Sequence, residues 1–173
     1  ATISRWADAA RDDGDVLFVS KGGRELRIGF RQADLAADLD TALGARADLV
    51  TASALFDLCS VSFIDRFADA VARRRSIFYT VLTYDGRQTW TPPHAADAAM
   101  LDAFHAHQAT DKGFGASAGP AAPAALKSAF VRHGYKVSEG DSPWRLGSED
   151  GKLVATLAEG FAGAVRETGR VPA

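Results

Sequence analysis

The chain has 173 residues and a mass of 18.3 kDa, enough to bury a core, and 47% hydrophobic content with a mean hydropathy of −0.08 is ordinary for a globular protein. Its 20 basic and 22 acidic residues are interspersed, giving a formal charge of −2 and no basic tract suited to nucleic acid or an anionic membrane. No apolar run approaches the roughly 20 residues of a membrane span, and residues 1–14 are too polar for a signal peptide, so a cytoplasmic location is expected.

Ile3, Trp6, Ala7 and Ala10 recur at helical spacing, and Asp12-Asp13-Gly14 would end that helix. Val16–Ser20, the turn Lys21-Gly22-Gly23 and Glu25–Arg31 read as a hairpin, because Leu26, Ile28 and Phe30 alternate with polar partners. The second strand is expected to run on to Ala33-Asp34-Leu35. A short helix over 36–43 follows, closed by Gly44.

Asp48-Leu-Val-Thr-Ala-Ser-Ala-Leu-Phe-Asp-Leu58 organises the remainder. Its first half is apolar and β-branched at Val50 and Thr51, as in a strand of a parallel sheet buried on both faces. At Ser53 the character changes: Ala52, Ser53 and Ala54 are small enough for another molecule to approach the backbone. In open α/β sheets that junction, past the carboxyl end of a strand, is where ligands sit. Cys59 is the only cysteine, which excludes an internal disulfide and a cysteine-rich zinc site. At such a junction it reads as a small buried hydrophobe in preference to a nucleophile.

Ser62 with Asp65 resembles a capping box, Ile64, Phe67, Ala68 and Val71 give a helix one apolar face, and Arg73-Arg74-Arg75 suits its carboxyl end. Ser76–Tyr84 is the next strand, broken by Asp85-Gly86. Two strands around one helix make a βαβ unit with parallel strands. An insert over about 87–122 is placed to cap the pocket. It contains Trp90, His94, a helix from Ala95 to Gln108 with Met100, Leu101 and Phe104 inward, and the glycine-rich 111–115. Pro123 opens a further helix in which Leu126 and Phe130 face the core. Gly134 caps it, and Tyr135–Glu139 is predicted as a short strand. Ser148 or Asp150 starts a last helix with Leu153, Val154, Leu157, Phe161 and Val165. No repeat or linker divides the chain, so 1–173 reads as a single α/β domain.

The order of hairpin strand, junction strand, helix and strand resembles the later two-thirds of a class I S-adenosylmethionine-dependent methyltransferase. Leu82-Thr-Tyr-Asp-Gly86, His107-Gln-Ala-Thr-Asp-Lys-Gly-Phe-Gly115 and Gly140-Asp-Ser-Pro-Trp-Arg-Leu-Gly147 are similar to stretches of a bacterial branch of that class. The resemblance implies a three-layer, Rossmann-like, mostly parallel sheet. Here it lacks the first two strands, the glycine-rich cofactor loop and the last strand. Lys21-Gly-Gly-Arg24 is a hairpin turn and Gly113-Phe-Gly115 follows a helix, so neither has the strand-loop-helix context of that loop. The chain is therefore expected to be a piece that binds cofactor poorly and is inactive alone.

What the resemblance implies for single residues is limited. Asp34, with Leu35 beside it, matches the acidic position that accepts a hydrogen bond from the adenine amino group; Asp34 also reads as a helix N-cap. Ala52, Ser53 and Ala54 match the methionine-binding strand end. Phe56 and Asp57 would lie near the transferred methyl, their alternatives being a core aromatic and a helix cap. Tyr84, Trp90, His107 and Trp144 are candidate contacts for a small-molecule methyl acceptor, with Tyr84 equally a turn residue and Trp144 equally a core plug. His105 and His107 stand two apart on a helix and do not share a face, which argues against a metal pair. No catalytic residue, metal or macromolecular partner is implied, since methyl transfer from a sulfonium needs chiefly positioning and exclusion of water.

Overall fold

The computed structural model describes residues 2–171 and falls into two units, Ala1–Ala42 and Leu43–Ala173. In the first, α1 (Thr2–Trp6) leads into a three-stranded antiparallel sheet of β1 (Ala9–Asp13), β2 (Val16–Lys21) and β3 (Arg24–Gly29), in that spatial order. Within the expected turn Lys21-Gly22-Gly23, Lys21 pairs with Arg24 and only Gly22 and Gly23, with φ of 55° and 74°, turn the chain; both positions need the left-handed region that glycine enters freely. The Asp8 carboxylate fixes this turn by accepting bonds from Gly22 N at 2.8 Å and Lys21 Nζ at 3.0 Å. Those two donors, the backbone one first, hold its pKa below the usual carboxylate value.

Two sequence expectations fail in this unit. The helix over Ile3–Ala10 stops at Trp6, and Ala9–Asp13 pairs instead with Val16–Ser20. A helix of two turns is marginal by itself, whereas β1 gains a full ladder through the tight turn at Gly14. Nor does β3 reach Leu35. Phe30 N makes one last bond to Asp15 O, and the Asp34 Oδ1 then bends the chain by accepting from Ala36 N at 2.9 Å and Ala37 N at 3.2 Å. The following helix, α2 (Leu39–Leu43), consequently begins three residues later than its predicted start at Ala36.

The second unit is built on β4 (Leu49–Ser53), α3 (Val61–Arg74) and β5 (Ile77–Val81). β4 and β5 pair in parallel from Leu49↔Ile77 to Ser53↔Val81, as the βαβ reading demands. β5 ends three residues short of the predicted Tyr84, where Leu82 turns the chain away from the ladder. Among the described residues parallel pairing is confined to these two strands, and the hairpin strands keep an antiparallel sheet of their own. The architecture is thus mixed α/β.

Hydrophobic burial explains how α3 lies. Phe63, Ile64, Phe67, Ala68 and Val71 fall on one face and are all buried, packing against α5 (Ala122–Arg132) and, through Phe67 and Phe78, against β5. Phe67 is the hub, with the rings of Phe56, Phe63, Phe78 and Phe130 at 5.0–6.4 Å from its own. The N-cap is Ser60, whose hydroxyl accepts from Phe63 N at 3.2 Å, and not the predicted Ser62, which instead bonds the Ser60 hydroxyl at 2.9 Å.

α4 (Asp97–Gln108) packs on α6 (Gly151–Thr168), where Phe104 and Phe161 stack with centroids 4.0 Å apart. Of the predicted apolar face of α6 only Val165 is buried; Leu153 and Leu157 are about 40% exposed. Residues 135–139 form no strand. Tyr135 packs edge-on to Phe130 and donates its hydroxyl to Ser76 O at 2.8 Å, so side-chain contacts hold this segment instead of a ladder.

Candidate functional site

At the carboxyl edge of the parallel pair, both strands leave the sheet through a left-handed residue that is not glycine. Ala54 follows β4 with φ 52°, and Leu82 follows β5 with φ 57°. Such conformations cost an L-residue on the order of 1 kcal/mol each, so the surrounding structure must impose them. Ala54 N donates to Val81 O at 3.2 Å, which ties the two bends together. The first bend throws the chain into a short 3-10 turn at Phe56–Leu58 that leads to Ser60 and α3; the second carries Thr83 and Tyr84 to the same edge.

Asp57 is the central group. Only 9% of it is exposed, and burial raises its pKa, opposed in part by hydrogen bonds from its own amide and from that of Tyr84. Gln108 Nε2, from the last turn of α4, reaches Asp57 Oδ2 at 3.5 Å. Asp57 Oδ1, Gln108 Oε1 and the hydroxyls of Thr80 and Thr83 are buried with no protein partner. Buried polar atoms are ordinarily satisfied, so the adjacent orphaned acceptors of Asp57 and Gln108 mark a place that a donor or cation would suit. Tyr84 donates to, or accepts from, His105 Nε2 at 3.1 Å. Burial, then the charges of Asp85 and Asp57, raise its phenol pKa.

The end of the insert covers this junction. Asp111 Oδ1 accepts from Gly113 N at 2.7 Å and Gly115 N at 2.9 Å, folding 111–115 into a tight loop. Ala118 N then donates to Cys59 O at 2.7 Å, the Ser117 hydroxyl lies 2.9 Å from Leu58 O, and Phe114 packs edge-on to Phe63. A Cβ on Gly115 would sit 3.5 Å from Ser60, ordinary contact, so it is the φ of 82° that suits glycine there. Beneath this cover Cys59 is fully buried, its Sγ 3.4 Å from Leu55 O. Its thiol pKa is pushed up to about 12 by burial and, secondarily, by Asp57, which makes it the inert hydrophobe that the sequence suggested.

Of the candidate residues, Asp57 and Tyr84 meet here. Ala52 is half-buried, and Ser53 and Ala54 are exposed at the same edge. Phe56 is completely buried between Phe67 and Phe78, the core alternative, and leaves no surface for a ligand. Trp90 is one layer removed: Tyr84 meets Phe104 edge-on, Phe104 stacks on Phe161, and Phe161 meets Trp90 at 6.3 Å. His107 turns away from the cluster to bond Glu167 of α6 at 2.9 Å. Trp144 is 58% exposed and plugs no core. Nearby, Arg87 joins Asp85 and Asp141 through bonds of 2.6 and 2.7 Å. Asp34 and Leu35 belong to the first unit, where the Asp34 carboxylate caps its own turn.

Gln108 is the member that motif reading missed. The signal was present: Leu101, Phe104, His105 and Gln108 share one helical face, so a polar group sits on an otherwise inward stripe. Among the described residues, no group of three or more His, Cys, Asp or Glu is arranged to hold a metal ion, and no helix is long and apolar enough to cross a membrane. Comparison with known proteins gave no match to any family model, curated protein or solved structure.

Proposed function

We propose that this chain carries part of the catalytic domain of a cytoplasmic S-adenosylmethionine-dependent methyltransferase acting on a small-molecule acceptor, with a three-layer Rossmann-like sheet as the complete fold. One observation carries the reading: the buried, unpartnered Asp57 Oδ1 stands at the carboxyl edge of a parallel βαβ unit, where such sheets bind ligands. The donor set fits the cofactor at that point. S-adenosylmethionine presents a sulfonium and an α-ammonium, and a desolvated carboxylate oxygen is the group that a cation satisfies. When bound, the cofactor supplies a methyl group already activated for transfer.

In this reading the small residues Ala52, Ser53 and Ala54 admit the methionyl part against the backbone, and Asp57 holds its positive end. Tyr84, braced by His105, orients the acceptor, while the 111–118 cover keeps water from the junction. The test is equilibrium dialysis of the product of the whole reading frame against labelled S-adenosylmethionine. Saturable retention, displaced by S-adenosylhomocysteine and weakened at least tenfold by Asp57→Asn, is the expected result. Absence of saturable retention would overturn the proposal.

A second reading, a non-catalytic α/β module working through protein contacts, is favoured by the outer face of the parallel pair. Leu49, Ile77 and Tyr79 are 53%, 68% and 59% exposed there, whereas parallel sheets are ordinarily covered on both faces. The same dialysis separates the two, because the module retains no cofactor.

A further inference from the structure

The aromatic layer beside Tyr84 ends at a cavity that methyl transfer does not explain. The loop carrying Gln88, Thr89, Trp90 and Pro93 forms, with α4 and α6, a half-open pocket of about 460 Å³, a volume within the range of small-molecule sites. Its walls are mostly apolar: Trp90 and Phe161 at 66° to one another, Met100 and Leu101 from α4, and Ala158 and Ala162 on the α6 side. Phe161 is held flat by its stack on Phe104, so one wall is a rigid aromatic surface. Alanines at the α6 wall leave room that larger side chains would fill.

The polar groups are few and uneven. Asp97 is the only charged residue of the lining; its Oδ2 accepts from His94 N at 2.8 Å, and among the described residues nothing pairs with Oδ1. Gln88 and Thr89 add neutral hydrogen-bonding groups. An apolar slot with aromatic faces and a single carboxylate selects a ring system bearing a donor or a positive charge, and disfavours an anion. We propose that this cavity is a binding site for a flat, largely apolar small molecule that carries an amine. The site stands whether or not the chain takes part in methyl transfer.

The sequence supplies its own reporter, since Met100 is the only methionine and lines the cavity. With the methionine methyl labelled with carbon-13, titration with 2-naphthylmethylamine should shift the Met100 signal saturably through the ring current of the bound naphthalene. The same titration with 2-naphthoate should require at least tenfold higher concentration. Asp97→Asn should reduce that difference at least fivefold, and Ala158→Phe, which fills the slot from an exposed position of α6, should weaken the amine at least tenfold. Calorimetric titration of the unmodified protein with the two probes gives the amine-to-carboxylate ratio without any variant. An unmoved Met100 signal, equal binding of the two probes, or binding indifferent to Ala158→Phe in a folded variant would each overturn the assignment. Cofactor retention in the dialysis described above is a separate readout, so either proposal can fail alone.

Discussion

Replacing Asp57 by Asn should make the protein more stable at neutral pH while weakening the proposed cofactor contact at least tenfold. The carboxylate is buried, one oxygen is unpartnered, and the nearest side-chain donor, Gln108 Nε2, is 3.5 Å away, at the limit of a hydrogen bond. Leaving a buried acceptor unsatisfied costs about 1–3 kcal/mol. The isosteric amide keeps an oxygen to accept from the Tyr84 amide, carries no charge, and should recover about 1 kcal/mol, a rise in Tm of roughly 2–4 °C for a chain of this length. The pH dependence gives the sharper test. Because burial raises the folded pKa of Asp57 above its ordinary 3.8, the folded state binds the proton more tightly than the unfolded one. Stability is then lost as pH climbs from about 3.8 through the raised folded value, and the Asn variant escapes that loss. Melting followed by circular dichroism between pH 3.5 and 8 should show the two proteins nearly equal at the acid end, with the variant ahead at the alkaline end. A variant that melts below the parent at pH 8, or a gap that does not change with pH, would show that the carboxylate is compensated within the fold and would remove the basis for a cation there.

Two further outcomes follow from the same unit. Phe67→Ala removes the ring shared by four other aromatics at a position only 4% exposed, and should cost about 3–5 kcal/mol in chemical denaturation; a loss under about 1 kcal/mol would mean that the cluster is not the core. Cys59, fully buried and with its thiol pKa pushed up to about 12, should resist Ellman's reagent at pH 8 until denaturant is added; rapid labelling of the folded protein would show that the 111–118 cover opens readily.

What could be read from the sequence divides along a physical line. The hairpin at Gly22-Gly23, the parallel β4–α3–β5 unit and the apolar face of α3 were legible because each is set by local rules: turn residues that tolerate positive φ, β-branched runs, and a 3.6-residue period. The start of Ala9–Asp13 was misread because Ala10 continues the helical spacing of Ile3, Trp6 and Ala7, and the partner that makes the segment a strand lies across a turn that the spacing ignores. The cap at Ser60 was missed by two residues because Ser60 and Ser62 are chemically alike, and only the path of the preceding 3-10 turn decides between them.

The candidate site was half legible for the same reason. Asp57 and Tyr84 could be placed at a strand end from sequence, but what makes Asp57 unusual is its burial, and that comes from residues far along the chain: Gln108 on α4, and Ala118 and Ser117 closing over Cys59 and Leu58. A carboxylate in water at that position would be unremarkable. Desolvated by a cover some 50–60 residues downstream and left with an oxygen unpaired, it becomes a group that a cation or a hydrogen-bond donor would satisfy. The fold thus gives up stability at one atom of the carboxyl edge, between two left-handed bends that are themselves strained, and concentration of such costs at one place is what singles this edge out as the candidate site.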